Sequence, residues 1–216
     1  MISMIKHEIA AIIPALNESA SIKKVIDNCS KYAFVLIVDD GSTDQTRTIA
    51  LEQGAQVLSH DITRGYEAAL ESGFARASEM GFKYVITLDA DGQHSAELIP
   101  KFHKKLLMGY DIVVGSRDRL QRVGEYIFSY FGQFLWGIHD PLCGMKAYNI
   151  ECVSGDVGIN KYDSVGTKFT INAVKLGKRI ISIKIPTQPR IDGARFGVGW
   201  KANKKILYAL YMAILK

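Results

Sequence analysis

Short apolar runs and helix-period stretches alternate through the first half of this chain. Ile9-Ala10-Ala11-Ile12-Ile13, Val35-Leu36-Ile37-Val38 and Tyr84-Val85-Ile86 are continuous apolar segments of strand length, as expected of strands covered on both faces. They predict strands over 9–13, 34–38 and 84–88, with shorter ones at 55–58 and 111–114. Between them the pattern predicts helices. The first runs from about 19 to 30, with Ser19 or Ser21 as its cap. The second covers 44–54, opened by Ser42-Thr43-Asp44 and closed by Gly54. The third lies within 65–81 and is apolar at Ala68, Ala69, Phe74 and Ala77; the fourth covers 95–107. Strands alternating with helices across short loops predict an α/β fold with a mostly parallel sheet. The rhythm breaks over 118–160, where aromatics and glycines cluster and 151–163 reads as irregular; no internal repeat or low-complexity linker is found.

Each of the three main strands ends in a polar, acidic loop: Pro14-Ala15-Leu16-Asn17-Glu18-Ser19, Asp39-Asp40-Gly41-Ser42-Thr43-Asp44 and Asp89-Ala90-Asp91-Gly92-Gln93-His94. Open parallel sheets bind ligands beyond the carboxyl ends of their strands. In a strand, residues two apart point the same way, so Asp89 and Asp91 are expected to aim at one point. Converging carboxylates repel unless a cation or a proton joins them. Oxygen ligands suit Mg2+ or Mn2+, which in turn bind phosphates. Ala90 and Gly92 leave room for a bulky ligand. Taken alone, the triplet is equally readable as an acidic loop without a ligand.

PALNES, VDDGSTDQT, TRGYEAAL and TLDADGQH, in this order and spacing, resemble the family 2 glycosyltransferases of GT-A fold. A narrower likeness, to the polyprenyl-phosphate (dolichyl-phosphate) mannosyl- and glucosyltransferases, rests on four segments. These are DADGQH, VVGSR at 113–117, DPLCGMKAYN at 140–149 and PxxPRIDGARFG at 186–197. The resemblance covers roughly residues 9–197. It implies one Rossmann-like GT-A catalytic domain over 1–216, with a nucleotide-sugar half (1–117), an acceptor half (118–199) and a C-terminal amphipathic helix (200–216). It also implies site roles. Pro14, Ala15, Asn17, Glu18 and Asp40 would contact the nucleotide of a UDP- or GDP-sugar, with Asp39 supporting the loop. Arg64 and Gly65 would lie by the base and phosphates, although Tyr66 stands where many relatives carry lysine. Asp89 and Asp91, flanking Ala90, would hold Mg2+ or Mn2+ on the diphosphate, with Gln93 as a further ligand and His94 in a supporting part.

The implied reaction is a single displacement with inversion, which normally needs a carboxylate base. No Glu-Asp pair occurs in 118–216, and Asn172 stands where lipid-phosphate relatives often have an acid. Asp140 is the best remaining carboxylate and Asp163 a weaker one. A phosphate monoester, with a second pKa near ~6, is already largely dianionic at neutral pH. Such an acceptor needs cations more than a base. Arg117, Arg119, Arg122, Lys146, Arg190 and Arg195 could supply them, and arginine binds phosphate bidentately. The expected acceptor is therefore polyprenyl phosphate, with Asp91, Asp140 and Arg117 as the residues closest to the chemistry. Two other readings are a transferase acting on a glycan hydroxyl, with Asp140 or Asp163 as base, and a non-catalytic nucleotide-sugar-binding subunit. Retention of both Asp89 and Asp91 argues against the last. No glycine-rich, lysine-bearing phosphate loop near the N-terminus suggests a nucleotidyltransferase.

Composition narrows the partners. At 216 residues and 48% hydrophobic content the chain fits one domain with a sizeable core. A net charge of +5 suits phosphorylated substrates, anionic lipid or nucleic acid; the motifs point to the first two, and no nucleic-acid partner is expected. Cys29, Cys143 and Cys152 lack C-x-x-C spacing and read as reduced thiols of a cytoplasmic protein. No apolar run reaches the ~18 residues of a membrane span, and MISMIKHE does not read as a signal peptide. The aromatic stretch 126–136 is expected in the core or an acceptor groove. The tail, with lysines ahead of apolar residues 206–215, is expected at a membrane surface. Together these predict a peripheral protein at the cytoplasmic membrane face, with self-association left open.

Overall fold

The computed structural model describes residues 8–154, 166–187 and 200–215. Seven strands form one sheet: β1 (Ile9–Ala15), β2 (Phe34–Asp39), β3 (Gln56–Ser59), β4 (Tyr84–Thr87), β5 (Ile112–Arg117), β6 (Lys146–Asn149) and β7 (Ile180–Ile185), in the order β3-β2-β1-β4-β6-β5-β7. All pairings are parallel except those of β6, which runs antiparallel to both β4 and β5. The mostly parallel α/β architecture read from the sequence is the one observed. The helices are α1 (Ile22–Cys29), α2 (Thr46–Glu52), α3 (Tyr66–Glu79), α4 (Ile99–Leu107), α5 (Val123–Trp136), α6 (Ile150–Ser154), α7 (Thr167–Lys175) and α8 (Trp200–Leu215).

Every residue of β1 is buried, because helices cover both faces of the sheet. Ile9, Ala11 and Ile13 face a core built with Ile22 and Ile26 of α1 and Phe102 of α4. Ala10 and Ile12 face the opposite core, with Leu70 and Phe74 of α3 and Phe169 of α7. This is the two-residue alternation of a strand, here apolar on both sides. A third cluster, Phe128, Ile171, Leu210 and Ala213, joins α5, α7 and α8. The three cysteines are buried and free, and burial pushes the thiols of Cys29 and Cys143 up to about 12.

The chain winds outward from β1 to β2 and β3, then returns to the other side of β1 with β4. The carboxyl ends of β1, β2 and β4 therefore meet where the strand order reverses, the usual binding crevice of such sheets. The break after residue 117 has a structural cause: β6 inserts antiparallel between β4 and β5.

Three expectations change. β4 ends at Thr87, so Asp89 and Asp91 lie in a turn and strand alternation does not aim them. Neither Ser19 nor Ser21 caps α1 with its side chain: Ser21 is the N-cap residue but makes no capping bond, and its hydroxyl donates to the Glu18 side chain (3.1 Å) and carbonyl (3.2 Å). Most of 126–136 is not core. Phe128 is buried, while Tyr126, Tyr130, Phe134 and Leu135 are exposed. Among the described residues no helix is long and apolar enough to cross a membrane.

Gly73 lets α3 lie directly on the sheet. A Cβ there would overlap Cγ2 of Ile12 and lie 3.1 Å from Cγ2 of Val38. Alanine at a helical glycine gains up to ~1 kcal/mol in propensity, but overpacking a core costs about 1–3 kcal/mol. Gly73→Ala should therefore lower the urea midpoint modestly and Gly73→Val much more. A Gly73→Val protein as stable as wild type would contradict this packing.

Candidate active site

The loop after β1 is stitched to the loop after β2. Asn17 sits in the left-handed region with φ 53°, which asparagine tolerates better than most side chains. Its side-chain oxygen accepts the Thr43 N–H (2.8 Å), and its own N–H donates to Ser42 Oγ (2.9 Å). The Glu18 N–H donates to Thr46 Oγ1 (2.7 Å), and the Ser19 N–H to Asp44 (3.2 Å). Pro14 and Ala15 are buried in the last residues of β1, and the Asp40 N–H donates to the Ala15 carbonyl (2.9 Å). The residues expected at a nucleotide thus form one rigid double loop. Asn17 and Glu18 help to build it.

Asp40 organises a third loop. Its Oδ1 accepts the Arg64 N–H (2.9 Å) and His60 Nδ1–H (2.7 Å), and its Oδ2 accepts the Gly65 N–H (2.7 Å). His60 Nε2 lies 2.9 Å from Ser72 Oγ on α3. Burial would raise the Asp40 pKa, but the backbone N–H groups and His60 outweigh it, and the pKa lies below the usual carboxylate value. Asp39 makes a lighter contact, accepting the Ser42 N–H at 3.3 Å. Asp39 thus supports its own loop, and Asp40 braces the separate 60–65 loop. Arg64 is exposed at the tip of that loop.

The loop leads into Tyr66, whose hydroxyl donates to Asp89 Oδ1 (3.2 Å). His94 Nε2 lies 3.1 Å from Asp89 Oδ2. A Cβ on Gly144 would overlap the Asp89 carboxylate, so only glycine fits there. Burial would raise the Asp89 pKa; His94, Tyr66 and the charge of Lys146 more than compensate and lower it. Asp91 is buried and its Oδ1 accepts the Gln93 N–H (3.0 Å). Gln93 thus meets Asp91 through its backbone. Ala90, between them, is buried. Among the described residues, no three His, Cys, Asp or Glu side chains form a metal centre. Any cation here would draw on these two carboxylates and on a ligand's own oxygens.

Lys146 opens β6 and is buried, and its Nζ donates to the Cys143 carbonyl (2.6 Å). Burial lowers its pKa, against the opposing pull of Asp140, Glu67 and Asp89 nearby. Arg117 and Asp140 form a bidentate pair, Nε to Oδ2 at 2.7 Å and a terminal nitrogen to Oδ1 at 3.1 Å. Glu125 of α5 lies 3.7 Å from Arg117 and pairs with Arg122 at 2.8 Å. This revises two sequence readings. Asp140 is buried with both oxygens held by arginine, so it is not poised as a base. Arg117 and Arg122 are already paired with carboxylates. Asp163, Arg190, Arg195 and the 189–197 loop lie outside the described residues.

Sequence reasoning missed His60, Ser72, Tyr66 as a partner of Asp89, and Glu125. Tyr66 falls in the TRGYEAAL motif but at a position where it departs from many relatives, and the other three belong to no motif whose spacing signals chemistry. Glu125 was detectable only as an acid in an otherwise apolar helix.

Residues 10–136 match the family described as Glycosyl transferase family 2. An uncharacterized protein of Methanocaldococcus jannaschii is 32% identical over 225 residues, covering 96% of this chain and 92% of that protein. A dolichyl-phosphate hexose transferase of Haloferax volcanii is 29% identical over 196 residues, covering 85% of this chain and 84% of the other. The crystal structure of glucosyl-3-phosphoglycerate synthase from Mycobacterium tuberculosis, in complex with Mn2+, UDP and glucosyl-3-phosphoglycerate, superposes with a TM-score of 0.74. It is 20% identical, with 100% of this chain and 83% of that chain covered, a likeness of fold.

Asp40→Asn should cost about 1–3 kcal/mol at neutral pH, the scale for leaving buried donors without their acceptor. A carboxylate with a depressed folded pKa stabilises the fold fully above its unfolded value and loses that contribution as pH falls through its folded value. The gap between wild type and Asp40→Asn should therefore be constant above about pH 5 and shrink as pH drops below the ordinary value of 3.8. Urea titrations across pH would show it; a gap that widens on acidification would contradict the assignment.

Proposed function

The chain belongs to glycosyl transferase family 2, and on that premise we propose that it transfers a sugar from a nucleoside diphosphate sugar to a polyprenyl phosphate. The observation that carries the acceptor assignment is the pairing of Asp140 with Arg117 beside the buried Lys146. The described carboxylate best placed in sequence to act as a base is engaged by a cation. A second cation lies near Asp89. Such a site suits an acceptor that arrives already ionised. The Haloferax relative, named as a dolichyl-phosphate hexose transferase, supports the same reading.

In this reading the donor lies across the ends of β1, β2 and β4. The rigid 14–18 and 39–44 loops hold the nucleotide, and Arg64 lies at the edge toward the phosphates. Asp89 and Asp91 fit Mg2+ or Mn2+, because such ions commonly take one or two protein carboxylates and complete their shell with phosphate oxygens and water. The bound ion would act as Lewis acid for the leaving diphosphate. The mycobacterial synthase of the same fold is described with Mn2+ and UDP. Tyr66 and His94 fix the Asp89 carboxylate, and hydrogen-bonded ligand carboxylates are the rule at metal sites. On the acceptor side, Lys146 draws the lipid phosphate toward the anomeric carbon. A phosphate oxygen forms the new bond to that carbon as the bond to the diphosphate breaks. The nucleoside diphosphate leaves and the configuration inverts.

The test is nucleoside diphosphate release from UDP- and GDP-sugars, with a short polyprenyl phosphate, with 3-phosphoglycerate, or with neither. Release is expected with the polyprenyl phosphate, and it should stop in chelator and return with Mn2+ or Mg2+. Asp91→Ala should abolish nearly all of it. Lys146→Met, close in volume but uncharged, should lower kcat/KM for the lipid phosphate at least about tenfold, roughly 1.4 kcal/mol. Turnover with a sugar or phosphoglycerate hydroxyl and none with the polyprenyl phosphate would move the protein to a hydroxyl acceptor.

A further inference from the structure

α5 and α8 pack against each other at Gly124, whose N–H donates to Asn203 Oδ1 at 2.9 Å. A Cβ on Gly124 would lie 3.2 Å from Cγ2 of Ile206, so the helices are in direct contact. Their inward faces share the Phe128, Leu210 and Ala213 cluster. Their outward faces remain apolar. On α5, Val123, Tyr130 and Phe134 recur at helical spacing along one stripe, with Tyr130 71% and Phe134 79% exposed. On α8, Tyr208, Tyr211 and Leu215 form a second exposed stripe.

The charge on this surface is one-sided. Residues 200–215 contain no acid, and Lys204 and Lys205 are exposed near the start of α8. The single acid of α5, Glu125, is buried and paired with Arg117 and Arg122. The outward faces of the two helices therefore offer aromatic and aliphatic groups with cations and no exposed carboxylate. A second copy of the chain docked here would bring like charges together. A bilayer boundary with anionic headgroups matches both features: tyrosine suits an apolar–wet boundary, and lysines beside a shallowly inserted helix are drawn to anionic lipid. With 14 residues at about 1.5 Å each, α5 would lie along the boundary rather than cross it.

We propose that α5 and α8 together form a docking face for an anionic bilayer, with α5 carrying the insertion as much as the C-terminal helix. The same helix holds Glu125 against Arg117, so docking would set the acceptor side of the site next to the membrane. The proposal deepens the polyprenyl-phosphate reading by naming where the substrate is met, but its physical basis is the helix surface and does not depend on that reading.

The experiment is co-sedimentation of the full chain with phosphatidylcholine vesicles, with and without phosphatidylglycerol. Wild type should bind the anionic vesicles and bind the neutral ones weakly. Tyr130→Ser/Phe134→Ser and, separately, Lys204→Glu/Lys205→Glu should each lower binding at least tenfold. Leu51→Ser, at an exposed leucine of α2, should not. Circular dichroism would confirm that the variants are folded, and turnover of a short, water-soluble polyprenyl phosphate should be unchanged in them. Wild type that ignores anionic vesicles, or an α5 variant that binds them like wild type, overturns the proposal. So does a dimer that Tyr130→Ser/Phe134→Ser abolishes in the absence of vesicle binding. Vesicle binding without polyprenyl-phosphate turnover would leave the docking face standing and reject the acceptor assignment instead.

Discussion

The donor side of this protein depends on one buried carboxylate and the donors it gathers. Asp40 lies at the end of β2, where a charge out of water must be matched by hydrogen bonds or lose its ionisation. Nothing in the strand supplies them. The chain provides them by drawing in the 60–65 loop, so that His60 and the N–H groups of Arg64 and Gly65 all point at Asp40. Gly65, at φ 96°, permits the entry into α3. The next residue, Tyr66, then reaches Asp89. The end of β2 is thus linked through four hydrogen bonds and one turn to the end of β4. The Asp89 carboxylate owes its orientation in part to a charge on another strand.

The acceptor side is organised by the opposite problem, cations held out of water. Arg117 ends β5, and its charge is met by Asp140 from the segment leading to β6 and by Glu125 from α5. Lys146 opens β6 and meets the Cys143 carbonyl. Since β6 lies between β4 and β5, its antiparallel insertion carries Gly144 and Lys146 to the edge of the Asp89 loop. Thr87 fastens this join, its hydroxyl donating to the Gly144 carbonyl at 2.7 Å. The irregular connection after β5 brings Lys146 beside the Asp89 loop.

These features were unequally legible in the sequence. The strands and their order of chemistry could be read, because burial on both faces leaves continuous apolar runs and the motifs fall at their ends. The family, shown by the match over 10–136, was legible from the same motifs. That Asp40 also gathers the 60–65 loop was not, since that depends on distant residues. Strand alternation was wrongly extended to Asp89 and Asp91 because β4 stops at Thr87, one residue short of the predicted 84–88. The aromatics of 126–136 were assigned to the core or an acceptor groove on composition alone. A helix buries only one face against α8 and the core, and periodicity within the stretch separates Phe128 from Tyr130 and Phe134. Asp140 looked free in sequence because an ion pair across 23 positions leaves no local signature.

The charge balance explains why the two sides need each other. In the proposed reaction the nucleoside diphosphate sugar and the lipid phosphate are both anionic and repel each other. Asp89 and Asp91 on the donor side add to that repulsion unless a divalent cation lies between carboxylates and diphosphate. Near β5 and β6 the internal carboxylates Asp140 and Glu125 already offset Arg117, which leaves Lys146, among the described residues, as a buried cation with a lowered pKa. Burial of that ammonium costs solvation, and an anion beside it would offset the cost and pull its pKa back up. A buried lysine of this kind would suit the proposed phosphate acceptor. The same site would gain little from a neutral hydroxyl, which offers Lys146 no compensating charge.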